Sequence, residues 1–279
     1  MIESQFVQLF GENRVVWGLV GGLVIAGMNL VGALLILVWR NPSQKGLDTS
    51  LGFAGGVMVA AAFTSLLIPA IEQYGNLLTT SIGFVLGVGF LAVSGYWVPY
   101  VQRLITGKTG EEALMAESGV TSPHEIDYST GRLAGVVVFI IAITLHNMPE
   151  GLAVGVGFGS GNLSDAIPLM IAIGTQNIPE GFAVAVAARN AGLGSLWYAG
   201  VTGLRAGLVE IPIAVFGAAA VTVAEPLLPY AMGFAAGGML YVIVNDIVPQ
   251  THGHGHDRTV TLGTMVGLLL MLSLDIALA

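Results

Sequence analysis

The chain has 279 residues, of which 54% are hydrophobic, 9% charged and 40 glycine, a balance that excludes an ordinary soluble domain and marks a polytopic membrane protein. It has no cysteine, so disulfide frameworks and thiolate metal sites are excluded and any metal must be held by nitrogen and oxygen. The formal net charge of −8 says little about orientation, because acidic residues weigh little in it. Crossing the hydrocarbon takes about 20 apolar residues per helix. Eight such stretches are predicted, over residues 14–39, 47–71, 76–104, 131–159, 164–190, 194–219, 227–250 and 259–279. The expected fold is an all-α membrane protein forming one domain over residues 1–279. No basic start, short apolar core and cleavage site precede the first stretch, so no removable signal peptide is read.

Arg40, Lys45, Arg103, Lys108, Arg132, Arg189 and Arg258 flank the odd-numbered connections, and Arg14 lies on the other side. The excess of positive charge puts the odd connections in the cytoplasm and both termini outside. The one long connection, residues 105–130, is acidic and polar and reads as a mobile cytoplasmic loop. Gly52 to Met58 in the second stretch resembles Gly233 to Met239 in the seventh, which starts on the opposite side. An inverted-topology repeat leaves such a trace, and transporters built on one bind substrate near the midplane.

Two copies of one pattern stand in the fourth and fifth stretches: His146-Asn147-Met148-Pro149-Glu150-Gly151 and Gln176-Asn177-Ile178-Pro179-Glu180-Gly181. Each puts a neutral donor four residues before a carboxylate, so both project from one helix face. The short connection 160–165 predicts a helical hairpin, which levels His146 with Glu180 and Glu150 with Gln176. Glu210 in the sixth stretch comes to the same depth, counted across the turn at 192–194. Three clustered carboxylates in lipid repel one another and need a cation or protons. Imidazole, amide and carboxylate donors together suit Zn, Fe(II), Mn or Cd. Pro149 and Pro179 lack the N–H that would bond the carbonyls of Leu145 and Thr175, so each helix should kink there. Gly151 and Gly181 should let a helix or an ion approach closely. Asp165 is read as the cap of the fifth span.

At these residues the chain resembles the ZIP family of divalent metal transporters, in the prokaryotic group close to GufA. The resemblance covers essentially the whole chain and implies eight spans in a three-two-three arrangement. It implies a metal centre at His146, Glu150, Gln176, Glu180 and Glu210, with Asn147 and Asn177 matching a neighbouring second site. It further implies transport of the ion (Zn, also Cd, Fe or Mn) toward the cytoplasm, a homodimer in the lipid bilayer, and an elevator-like motion of spans one, four, five and six against the rest. No nucleic-acid partner is expected. Relatives with a binuclear centre carry an aspartate where Asn177 stands, and Arg205 adds a cation near Glu210. A single ion is therefore expected here, with Arg205 either offsetting part of the remaining charge or, about 140° round the helix from Glu210, pointing at Asp246 or snorkelling toward the cytoplasm.

Asn245, Asp246, His252, His254 and His256 are read as the inner path. If residues 252–256 are extended, the alternate histidines face one way. Ser65, Glu72 and Asp275, with Met58, are read as the outer path. A rival function is an intramembrane metalloenzyme such as a protease, which would use His-Glu-x-x-His and an open zinc position. That motif is missing, and one histidine alone lies in the membrane. A proton or sodium carrier would leave His146 without a distinct role. No phosphate-binding Gly-rich loop is present to drive an ATP-powered pump.

Overall fold

The computed structural model describes residues 2–106, 128–190, 197, 200, 201, 205 and 207–278. Most of the predicted 105–130 loop lies outside them, as does the turn at 192–194. The described elements are all helical. They are α1 (Ile2–Phe10), α2 (Arg14–Leu34), α3 (Gln44–Ala61), α4 (Ile68–Glu72), α5 (Leu77–Thr106), α6 (Tyr128–Ser160), α7 (Leu163–Asn190), α8 (Glu210–Val223), α9 (Leu228–Val242), α10 (Val248–Thr251) and α11 (Asp257–Leu278). Six helical stretches among the described residues are long and apolar enough to cross a membrane. Two predicted spans are not among them: α6 runs 33 residues, and α8 is a shorter apolar helix.

Local chemistry sets the ends of these helices. Asn13 starts α2 by accepting from Val15 N–H at 2.9 Å and Val16 N–H at 3.3 Å. Ser43 starts α3 by accepting from Gly46 N–H at 3.1 Å. The α6–α7 hairpin turns at Gly161, whose φ of 84° favours glycine. Asn162, rather than Asp165, caps α7: its Oδ1 accepts from Ser164 N–H, while its amide donates to Asp165. The Asn162 side chain reaches both groups, which Asp165, already inside the helix, cannot. The α1 helix was not predicted. It packs Phe6 on Phe158 with ring centroids 5.4 Å apart.

Two π-helical segments, Ala62–Leu67 and Ile243–Ile247, interrupt the second and seventh predicted spans. Each ends just before a proline, Pro69 or Pro249. Proline cannot donate a backbone bond, and the wider turn reroutes it: Ile68 N–H reaches Phe63 O and Val248 N–H reaches Ile243 O. The bulges carry the polar pairs Thr64–Ser65 and Asn245–Asp246.

Close glycine contacts reveal a repeat in the packing. In α3 and α11, Gly52 lies against Val260 O, Gly56 against Thr264 O, Gly263 against Thr49 O and Gly267 against Phe53 O. In α9 and α5, Gly233 lies against Thr80 O, Gly237 against Phe84 O, Gly83 against Tyr230 O and Gly87 against Phe234 O. One constant step in numbering takes Thr49, Gly52, Phe53 and Gly56 to Tyr230, Gly233, Phe234 and Gly237. Within each pair the helices run parallel. The two pairs run oppositely, since Asp48 near the start of α3 meets His254, well beyond the end of α9, while Gly55 further along faces Ile247 and Ile243 just after it.

A second set joins α2, α6, α7 and α8: Gly155 meets Ala214 O, Gly151 the backbone of Glu210, Gly32 Ile178 O, and Gly181 Asn29 O. Every described glycine with foreign-helix backbone within 3 Å of where its Cβ would be finds it inside its own set of four. The helices therefore form three backbone-locked groups, α3 with α11, α5 with α9, and α2 with α6, α7 and α8. At the seam between them, Gly238 meets the side chain of Pro149.

A Cβ at Gly56 would stand 2.0 Å from Thr264 O, whereas one at Gly89 meets nothing within 4 Å. Gly56→Val should therefore destabilise the protein by roughly 1–3 kcal/mol or more, and Gly89→Val should be near neutral. Thermal melting followed by size-exclusion fluorescence would show a large drop for the first variant only.

Candidate metal centre

The hairpin brings the two motif copies into one buried layer. Glu150, Gln176, Asn177 and Glu210 have no more than 0% relative exposure, Asn147 has 1% and Glu180 5%. His146 Nε2 lies 3.5 Å from Glu180 Oε2 and 3.9 Å from Glu150 Oε1. Among the described residues, His146, Glu150 and Glu180 present one donor atom each, all within 4.8 Å of one another. Metal–ligand lengths near 2.0–2.2 Å put the donors of a tetrahedral zinc ion about 3.4 Å apart. The observed separations approach that value and exceed a charged hydrogen bond of about 2.8 Å.

Amide groups determine which oxygens remain available. Asn147 Nδ2 donates to Glu210 Oε1 at 2.8 Å, and Asn177 Nδ2 donates to the same oxygen at 2.9 Å and to Ile25 O at 3.2 Å. Gln176 Nε2 donates to Asn177 Oδ1 at 2.8 Å. With its nitrogen so engaged, Gln176 leaves Oε1 unpartnered. Both oxygens of Glu150, both of Glu180 and Oε2 of Glu210 are likewise buried without a hydrogen-bond partner. Such a collection of orphaned oxygens is destabilising unless a cation meets it. The donor set fits a borderline divalent ion. His146, Glu150, Glu180 and Gln176 could hold it, with Glu210 Oε2 close behind.

Backbone geometry fixes these positions. Pro149 and Pro179 are both accommodated inside continuous helices. Gly151 and Gly181 bring neighbouring helices into contact, α8 and α2 respectively. Glu210 begins α8 after a turn at Leu208–Val209. Pro212, which the sequence reading did not use, cannot donate to the carbonyl of Leu208 and so explains that break. A carboxylate in the first turn of a helix is favoured by the helix dipole. Arg205, predicted to offset charge at this layer, is exposed whereas Glu210 is fully buried.

A cavity of about 420 Å³ runs from His146, Asn147 and Glu180 past Ala183 and Ala187 to Asp246 and Gln250, with Asn29 on its wall. Asp246 Oδ1 accepts from Asn245 Nδ2 at 2.7 Å. The histidine segment is not extended: Gly253 and Gly255 have φ of 101° and 78°. These left-handed residues turn the chain, so the imidazoles diverge. His252 Nδ1 lies 3.1 Å from Val248 O, and His254 Nδ1 lies 3.1 Å from Asp48 Oδ2. His256 receives α11 through its carbonyl. Asp48, which the sequence reading missed, is buried and also accepts from Gln44 Nε2.

At the other end Asp275 accepts from Ser65 Oγ at 3.3 Å and from Thr64 Oγ1. Thr64 was not predicted, although it neighbours Ser65 on the bulge. Glu72 is exposed at the end of α4, and Met58 is fully buried.

A family model described as the ZIP zinc transporter matches residues 108–275. The chain is 35% identical to the zinc transporter ZIP11 of Bos taurus, over 97% of this chain and 99% of that one. It is 36% identical to the zinc transporter ZIPB of Bordetella bronchiseptica, over 97% and 84%. It is 35% identical to the zinc transporter GufA of Myxococcus xanthus, over 94% and 98%. With the paired motifs drawn into one buried layer and these likenesses running nearly end to end, the chain belongs to the ZIP family of multi-pass membrane proteins, transporters of metal ions rather than enzymes.

Proposed function

We propose that the chain moves Zn²⁺ toward the cytoplasm as a single ion held by His146, Glu150, Gln176 and Glu180. The observation carrying this reading is the set of six buried, unpartnered oxygens on Glu150, Gln176, Glu180 and Glu210, with His146 Nε2 beside those of Glu150 and Glu180. Cd, Mn and Fe(II) share enough chemistry to compete. The single-ion version is supported by Asn147 and Asn177. Both direct amide hydrogens at Glu210 Oε1, where a second cation would need acceptors instead.

Eight spans in a three-two-three order complete the picture, with α6 and the shorter α8 as the two beyond the six apolar stretches. Both termini then lie outside, Asn245, Asp246 and the histidine turn serve the inner path, and Ser65, Glu72 and Asp275 the outer one. Arg205 tunes the field below Glu210. The motion is an elevator in which α2, α6, α7 and α8 slide against α3, α5, α9 and α11. Its support is that no close glycine–backbone contact joins α2, α6, α7 and α8 to the other four helices. An apolar cavity of about 910 Å³ between them, walled by Leu35, Phe53, Ile178, Phe182, Leu262 and Val266, leaves few polar contacts to break. The exposed apolar side of α5, including Leu78, Val85 and Val93, offers a surface to lipid or to a second copy in a homodimer.

Outer-shell changes in metal sites cost about 10–100-fold in affinity, so loss of a direct ligand should cost more than ~100-fold. His146→Ala, Glu150→Ala and Glu180→Ala should each lose at least that much zinc affinity and abolish uptake into liposomes, with Gln176→Ala about tenfold milder. Wild-type affinity in the His146 variant, measured by calorimetry on purified protein, would overturn direct ligation. Asn177→Asp should replace a donor at Glu210 by a carboxylate and raise the bound metal from one ion per chain to two by elemental analysis. Two ions in the unmodified protein would refute the single-ion reading.

A further inference from the structure

Asn29, in the middle of α2, has 1% exposure and takes no part in the centre described above. Its Oδ1 is buried with no hydrogen-bond partner. Its side chain borders the cavity that joins His146 and Glu180 to Asp246 and Gln250. An amide oxygen stranded in an apolar helix is destabilising by about 1–3 kcal/mol, so its position calls for a ligand.

The packing repeat says what kind of position this is. The numbering step that carries Gly52 to Gly233 also carries Asn29 to Glu210 and Ala33 to Ala214. Gly151 lies against the backbone of Glu210, and the matching Gly181 lies against Asn29. Asn29 is therefore the repeat mate of the carboxylate at the centre. Under the same relation Asn177, which donates to Glu210, has Asn147 as its mate, and Asn147 would donate to Asn29. It donates to Glu210 instead. Both amides serve one side of the hairpin, and Asn29 Oδ1 on the other receives no donor.

We propose that Asn29 is a further ligand of the transported divalent transition-metal ion, at a transit position between Glu180 and Asp246 on the inner side of the centre. This rests on the reading of the centre as a metal site. Asn29 Oδ1 is a neutral donor, so it holds the ion weakly between two carboxylates and lets it pass. Glu180 belongs to the centre as well, and the ion can remain bound to it while exchanging His146 for Asn29.

The test uses purified full-length protein, Zn²⁺ as the probe, equilibrium binding and uptake into liposomes. Asn29→Ala should keep affinity at the centre within about threefold and lower maximal uptake about tenfold, the scale of one lost polar interaction. Asn29→Asp should add a second bound ion per chain, and that ion should vanish in Asn29→Asp/Asp246→Asn. A role in packing alone would add no metal. Wild-type uptake in Asn29→Ala, or unchanged stoichiometry in a folded Asn29→Asp, would overturn the proposal. If Asn29→Ala does not fold, the stoichiometry of Asn29→Asp decides by itself. Unchanged zinc binding in Glu180→Ala would instead refute the centre, whatever the Asn29 variants do.

Discussion

Three carboxylates share a buried layer of α6, α7 and α8, and most of their oxygens receive no hydrogen bond from the protein. Coulomb repulsion in a low-dielectric interior is severe, and desolvation adds to it. The surrounding helices must therefore be held by contacts strong enough to keep that layer together whenever the cation has left. The glycine seams do this. Backbone-to-backbone approaches at Gly151, Gly155, Gly181 and Gly32 give dense dispersion contacts that do not depend on the state of the carboxylates. On the proposed metal reading, the layer can thus be loaded and unloaded without loss of the fold.

The amides play a different part. Gln176, Asn177 and Asn147 form a donor chain that ends on Glu210. Each bond orients the next group, and the result is that Gln176 faces inward with oxygen rather than nitrogen. A metal ligand set needs that polarity, since an N–H aimed at a cation would oppose binding. Asn177 serves both ends, its oxygen accepting from Gln176 and its amide nitrogen donating to Glu210.

Much of this was legible in the sequence because the signals were periodic or paired. The His–Glu and Gln–Glu spacings put their side chains on one face, and the short connection at Gly161 forces the two faces together. The faint Gly-Phe-Ala repeat proved to be a set of matched interhelical contacts. What stayed hidden depends on rotamers or on single backbone angles. Nothing in the order of residues says that both asparagines choose the same oxygen of Glu210. The histidine turn read as extended because its alternation looks like a strand, and only left-handed Gly253 and Gly255 reveal otherwise. The bulges were missed because a π turn has no strong sequence code beyond a following proline. Thr64, Asp48 and Asn29 gave no signal at all, being ordinary polar residues whose meaning comes from the side chain opposite.

An inverted repeat supplies geometrically equivalent routes on the two sides of its centre, so any preference in how an ion enters and leaves must come from side chains that break the equivalence. The two bulges differ in just this way. On the side proposed as outer, hydroxyls of Thr64 and Ser65 are engaged by Asp275 from α11. On the side proposed as inner the bulge carries its own carboxylate, Asp246, and the match of Gly263 and Gly267 in α11 to Gly83 and Gly87 in α5 takes Asp275 to Gly95. The cavity reaches Asp246 from the centre, and the repeat mates Met58 and Met239 are both fully buried. Asn29 opposite Glu210 repeats the contrast at the centre itself, a neutral amide on the inner side against a carboxylate on the other. Donor charge therefore falls at Asn29 and rises again at Asp246. On the proposed reading, an ion leaving through that cavity meets a weak site between two strong ones, which lowers the barrier to exchange without creating a deep trap.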